Sequence, residues 1–227
     1  MAAALERALG PAGSEAAASV PESPLLVLGP AGSGRTALLL RAALAGGGDG
    51  PRALFLAPSP PSRLPDGGGG DPRALQRLEL RYPPTMAALA QELGAMAARA
   101  QPPGLLLLDG LEHYIQGGPS APARLAALLL EASRAPRPPA QLLAALRLPP
   151  PGPRVLPVLR RYFPAECRLR PTPGIPLKVN VRLVLPGAAP RGWRLSFGPH
   201  GELHVTPGPG DGDGDEDEDG DGSGDEA

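Results

Sequence analysis

The sequence predicts an α/β fold whose central sheet is mostly parallel and whose C-terminal strands are antiparallel. Three observations carry that reading. Residues 25–44, "LLVLGPAGSGRTALLLRAAL", pass from a short apolar run through a glycine-rich turn into an apolar helical stretch. About seventy residues later, "GLLLLDG" (104–110) sets four leucines directly before an acid. Around them, strand-like and helix-like segments alternate as far as residue 148, after which polar–apolar alternation and turns take over.

Residues 1–23 are Ala-rich and are expected to form a flexible leader, in part helical. Residues 25–28 suit a buried parallel strand, and the helix that follows over 35–45 stops at "GGGDGP". "RALFLAP" (52–58) reads as a second strand, "PSPPSRLPDGGGGDP" as a long loop, and "LQRLELRYPP" as a further strand. A helix is expected over 85–100, with Thr85 as its N-cap, and another over 121–135. "AQLLAALRL" (140–148) is apolar enough for a fourth core strand. "ECRLRP", "LKVNVRLVLP" and "GWRLSFGPHGELHV" read as antiparallel strands appended to the sheet's edge. The core is thus placed at 24–206, with 207–227 as a disordered acidic tail, because Gly-Asp-Glu repeats have nothing apolar to bury.

Composition narrows the function classes. Glycine (31) and proline (33) exceed a quarter of the 227 residues, but they cluster and leave apolar segments between them. Lys178 is the sole lysine, so the basic side chains are almost all arginine. Ten of the 23 acidic residues lie in 211–227, which leaves the first 210 residues with 22 basic and 13 acidic side chains, a net charge of +9. Such a body suits a polyanionic partner as well as it suits scattered, solvated arginines. A single cysteine, Cys167, excludes an intramolecular disulfide, and three scattered histidines make no zinc constellation. The start lacks a basic segment and carries Glu6, Glu15 and Glu22, unlike a secretory or transit peptide. No apolar run approaches the roughly 18 residues that span a bilayer. A soluble nuclear or cytosolic protein without membrane contact is expected.

The turn in 25–44 fits G-x-x-x-x-G-K-[ST] at every fixed position except one. Gly29, Pro30, Ala31, Gly32, Ser33 and Gly34 form a small-residue loop whose backbone N–H groups can wrap phosphates, with the positive end of a helix behind them. Thr36 supplies a hydroxyl for Mg2+, and Asp109, at the end of the leucine run, is the matching aspartate. ATP with Mg2+ is the expected ligand. Arg35 stands in the lysine position. Its planar fork is bulkier than an ammonium, so binding is expected to be weakened and hydrolysis weakened more.

"GPAGSGRTALLL", "RYPPTMAAL", "LLLLDGLEHYI" and "VLRRYFPAECRLRP" together resemble the ATPase-like subunits that accompany a SWIM-domain protein in the animal Shu complex, divergent RecA-family recombinase paralogues. The resemblance covers roughly 24–206. It implies a RecA-like P-loop NTPase core, which the closing pattern "SFGPHGELHV" also fits. It further implies a nuclear role in homologous recombination and DNA repair, DNA-stimulated ATPase activity, and single-stranded DNA binding. The implied partners are the zinc-binding SWIM-domain protein and the strand-exchange recombinase with its paralogues. By this resemblance residues 29–36 are the ATP loop and Asp109 the Mg2+ aspartate, while the family's loop has lysine where this chain has Arg35. The strand position at which recombinase-type ATPases place a glutamate base reads "LFLAPSPP" here, with no acid. Glu112 is the available substitute, and the competing reading makes it a helix-start residue facing solvent. Two functions stay open, an active DNA-stimulated ATPase and a non-catalytic RecA-like scaffold that stabilises its partner and recruits recombinase. A small-molecule P-loop kinase lacks the Arg-rich lid it would need.

For DNA contact the resemblance points to two loops, 110–121 and 147–154, with Arg147, Arg154, Arg160 and Arg161 as basic candidates. The tail's "DEDGDG" opens like a calcium-binding EF-hand loop, but the loop's final glutamate would fall beyond residue 227, and no helices flank it. The tail reads as a solubilising end or as a polyanion competing with DNA.

Overall fold

A strand that is apolar at every position has to lie between other strands with helices over both faces, and the run Leu25–Leu28 is placed so. In the computed structural model, residues 3–10, 23–62, 71–174, 177–198 and 202–208 are described. The order is α1 (Ala3–Leu9), β1 (Leu25–Pro30), α2 (Arg35–Leu44), β2 (Ala53–Leu56), α3 (Pro72–Gln76), β3 (Leu78–Arg81), α4 (Met86–Gly94), β4 (Leu105–Leu108), α5 (Leu111–Tyr114), α6 (Ala121–Arg134), β5 (Gln141–Leu148), α7 (Val155–Arg160), β6 (Ala165–Thr172), β7 (Lys178–Val184), β8 (Arg191–Phe197) and β9 (Leu203–Pro207). These strands form one sheet in the order β3-β2-β4-β5-β1-β6-β7-β8-β9. β1 pairs in parallel with β5 and β6, β2 with β3 and β4, and β4 with β5; the pairs β6–β7, β7–β8 and β8–β9 are antiparallel.

The two-residue period of a strand divides the core in two. Leu25 and Val27 point to one face, with α1 and α2; Leu26 and Leu28 point to the other, with α4, α5 and α6. Thr85 caps α4 as expected, its hydroxyl accepting from the Ala88 N–H at 3.2 Å. Over β7 the second face is bare: Lys178, Asn180, Arg182 and Val184 are exposed, while Val179, Val181 and Leu183 are buried beneath.

Four expectations are corrected. The leader is not loose over Ala3–Leu9, where α1 buries Ala4, Leu5, Ala8 and Leu9 against α2. It is tied down by Arg41 donating to the Ala8 carbonyl, by the Glu6–Arg191 ion pair at 2.6 Å, and by Trp193 Nε1 donating to the Gly10 carbonyl. "ECRLRP" lies in β6, which runs parallel to β1 rather than antiparallel, because α7 carries the chain back across the sheet before it. The strand expected over "LQRLELRYPP" starts only at Leu78, because Leu75 and Gln76 belong to α3, started by the Asp71 side chain accepting from the Arg73 N–H. The ordered core does not stop at residue 206: Pro207 still pairs with Trp193, and the Gly208 N–H donates to the Gly192 carbonyl. Residues 11–22 of the leader and 209–227 of the tail lie outside the described residues.

Candidate nucleotide-binding site

The loop after β1 turns at the sheet's C-terminal edge, where parallel α/β sheets take their ligands. Gly32 and Gly34 have φ of 73° and 83°, the left-handed region that only glycine adopts without strain. Space is restricted as well. A Cβ on Gly29 would meet Ser33 Oγ at 2.4 Å, and one on Gly34 would meet the Phe197 ring at 2.4 Å. Ser33 is buried, and its hydroxyl has no hydrogen-bond partner.

The two side chains that follow Gly34 take different directions. The Thr36 hydroxyl donates to Asp109 Oδ2 at 2.5 Å, and Asp109 Oδ1 accepts from the Gly110 N–H at 3.0 Å. Asp109 is held at the end of β4 by its own N–H, which donates to the Leu56 carbonyl at 2.8 Å. Burial pushes its carboxyl above the usual carboxylate range, against the Thr36 hydrogen bond and the Arg35 charge. Arg35 turns back on the loop and donates from Nη1 to the Gly29 carbonyl at 2.9 Å. Its guanidinium pKa is lowered by burial, an effect that the Glu112 and Asp109 carboxylates oppose.

Glu112 neither caps a helix nor faces open solvent. Its carboxylate accepts from the Arg147 N–H at 3.0 Å and lies 3.7 Å from the Arg147 guanidinium, with 19% of the Glu112 side chain exposed. α5 is braced against the "RYPPT" segment: Tyr114 donates to the Pro83 carbonyl at 2.7 Å, and His113 Nε2 lies 2.9 Å from the Pro84 carbonyl. Burial pushes the Tyr114 hydroxyl pKa up, so it remains a donor.

Gly32 to Thr36, Asp109 and Glu112 line one cavity of about 590 Å3, within the range of small-ligand sites. Pro58 to Ser62, Phe197 and Gly198 line the same cavity. The phosphate loop, Thr36, Asp109 and Glu112 are therefore brought together. Phe197 is the residue that sequence reasoning missed. It is one of seven aromatics, and nothing in the alternation of β8 marks it as a neighbour of Gly34.

The basic candidates for DNA contact fall in two places, the end of β5 and the two ends of α7. Arg147 is engaged by Glu112 at the end of β5, Arg154 and Arg161 flank α7, and Arg160 pairs with Glu166 at 2.9 Å. α5 occupies part of the first expected loop, and β5 extends to Leu148 in the second. No three His, Cys, Asp or Glu side chains among the described residues group as a metal centre. None of the described helices is long and apolar enough to cross a membrane.

No family model matches the sequence. The chain is 38% identical over 204 residues to the human ATPase SWSAP1, covering 81% of this chain and 89% of that protein. It is 38% identical over 206 residues to the mouse ATPase SWSAP1, covering 81% and 73% respectively. Among solved structures, the flagellar accessory protein FlaH from Methanocaldococcus jannaschii superposes with a TM-score of 0.59 at 14% identity, over 82% of this chain and 90% of that one. That likeness bears on the fold, which is the RecA-like P-loop NTPase core with C-terminal antiparallel strands.

Proposed function

The chain belongs to the family of the ATPase SWSAP1, and from that premise we propose that it is a nuclear, ATP-binding subunit of a Shu-type complex, acting in homologous recombination beside a SWIM-domain partner. The observation that carries the nucleotide part is the Thr36–Asp109 hydrogen bond, which joins the phosphate loop to the end of β4 beside an open cavity.

The residues fit Mg2+-ATP. The loop leaves no room for a Cβ at Gly29 or Gly34, and Ser33 offers a buried hydroxyl without a partner. Bound Mg2+ would be held by Thr36 and Asp109 and would supply positive charge to the phosphates. The backbone N–H groups at the start of α2 bind and orient those phosphates. Arg35 has to leave the Gly29 carbonyl before its guanidinium can serve them. Burial holds the Asp109 carboxyl above the usual carboxylate range, a shift that a bound cation would oppose.

A second reading, the non-catalytic scaffold, is favoured by one arrangement. The acid nearest the site, Glu112, is committed to Arg147 through both a backbone N–H and the guanidinium, so no free base faces the cavity from α5. Both readings share nucleotide contact and differ in turnover. Purified protein is assayed for ATP binding and hydrolysis, with and without single-stranded DNA and the SWIM partner. Mg2+-dependent ATP binding weakened about ten-fold or more by Asp109→Ala, together with DNA-stimulated hydrolysis, is expected for the enzyme. Binding without hydrolysis selects the scaffold, and no nucleotide binding at all overturns the proposal.

A further inference from the structure

The antiparallel half of the sheet carries a cationic face that the nucleotide site does not use. Alternation along β6, β7 and β8 buries Cys167, Leu169, Val179, Val181, Leu183 and Leu195, and turns their neighbours to the opposite side. That side presents Arg168 and Arg170 from β6, Lys178 and Arg182 from β7, and Arg194 from β8. Arg168 stands directly across from Arg182. Like charges in that position destabilise a sheet unless something neutralises them. Among the described residues, Glu166 bonds both Arg160 and Arg168, so its one charge is divided between two cations. Glu202 lies at the Lys178 end of the face, against Gly198 at the hairpin before β9.

We propose that this face binds the chain's own acidic segment, residues 211–226. The segment carries ten carboxylates and no cation. It is also tethered beside its receptor: β9 ends at Pro207, opposite Trp193, one residue before Arg194 in the neighbouring strand. Lys178 lies opposite Ser196, two strands and three residues away from that point, or about 14 Å at ordinary strand spacing and rise. A chain extending about 3.4 Å per residue covers this by residue 213. Each exposed ion pair is weak, but a short tether holds the segment at an effective concentration on the order of millimolar, so several weak contacts act together. The occupied face is then closed to other polyanions at low salt.

Zero-length carbodiimide coupling of the full chain at low salt tests this, because it joins an amine to a carboxylate in direct contact and Lys178 is the sole lysine. Peptide mass spectrometry is expected to find Lys178 joined to an acid within 211–226, at a yield independent of protein concentration. The yield is expected to fall at least five-fold in 0.5 M salt and in the double variant Arg182→Gln, Arg194→Gln. Coupling of Lys178 only to Glu202 or Glu166, or a yield that grows with protein concentration, overturns the proposal. A face reserved for a nucleic-acid strand leaves Lys178 uncoupled to the tail, and that outcome overturns it equally. Both varied arginines are exposed, so the variant keeps its core. As a second readout, the amide resonances of 211–226 are expected to shift between the natural chain and the variant; superimposable tail spectra reject the idea.

Discussion

The Thr36 hydroxyl donates to the Asp109 carboxylate at 2.5 Å across 73 positions of sequence, so the two side chains proposed to hold Mg2+ are in direct contact. Replacing either residue therefore removes a cation contact while leaving the backbone cradle intact. For Asp109→Asn and Thr36→Ala, the Mg2+-dependent part of ATP affinity is expected to fall about ten-fold or more, roughly 1.4 kcal/mol. Binding measured without Mg2+ should change little. Titration of a fluorescent ATP analogue with and without the cation distinguishes the two terms.

Arg35 is held by the Gly29 carbonyl, and its guanidinium must be released to reach a phosphate. Arg35→Lys exchanges a rigid fork for a compact ammonium on a flexible stem. Hydrolysis is expected to rise several-fold with little change in affinity, whereas Arg35→Ala should weaken ATP binding by about ten-fold. Equal turnover for the natural chain and the lysine variant would mean that arginine serves the transition state as well as lysine does.

Two carboxylates are expected to give opposite pH signatures. Burial raises Asp109, so the folded state keeps its proton to higher pH than the unfolded chain does. Its contribution is therefore most favourable below the unfolded value of 3.8 and is lost as pH rises through the folded value. Asp109→Asn should raise Tm near neutral pH by about 2 °C or more and match the natural chain in acid. Glu166 is also partly buried, which by itself raises its pKa, but hydrogen bonds from Arg160 and Arg168 outweigh this and hold it below the usual range. Its contribution is present above the unfolded value of 4.5 and is lost as pH falls through the folded one. Glu166→Gln should destabilise by about 1 kcal/mol at neutral pH, with no difference in strong acid.

The Phe197 ring fills the space that a side chain at Gly34 would need, and Gly34 has a φ of 83°. Gly34→Ala is expected to destabilise by about 2 kcal/mol, combining backbone strain with the clash. Phe197→Ala in the same chain should restore the steric part alone. A double-mutant cycle by chemical denaturation measures the remainder, which belongs to the backbone.

Leu5 has no solvent exposure, and α1 packs on α2. Leu5→Ala is expected to destabilise by about 2–4 kcal/mol, the range for a buried leucine in a packed core. A mobile leader would show no change, so a thermal melt of this one variant is decisive.

Features that depend on neighbours in sequence were legible without a structure. β1, the glycine loop and α2 are consecutive, and the Thr85 cap needs only the helix that follows it. Asp109 could be read because an apolar strand ending in an acid follows the glycine loop in order, a pairing that carries more than either motif alone. What escaped depends on distant partners. α1 is a short Ala-rich segment whose burial comes from α2 and whose ties reach Arg191 and Trp193, more than 180 positions away. The direction of β6 follows from a six-residue helix too short to stand out against a proline-rich background. Phe197 meets Gly34 only because the sheet folds its eighth strand back beside the loop.

The ties between α1 and β8 also set a timetable for the chain. α2 is available to α1 early in synthesis, but Arg191 and Trp193 are not. At about 5–20 residues per second, the ribosome needs roughly 10–40 seconds to add the 185 residues that separate Glu6 from Arg191. β1 waits almost as long, because its flanking strand β6 begins at Ala165. Throughout that interval the apolar side chains of the first helix and the central strand lack their final cover, and such transiently exposed surface is what makes a nascent chain prone to aggregate.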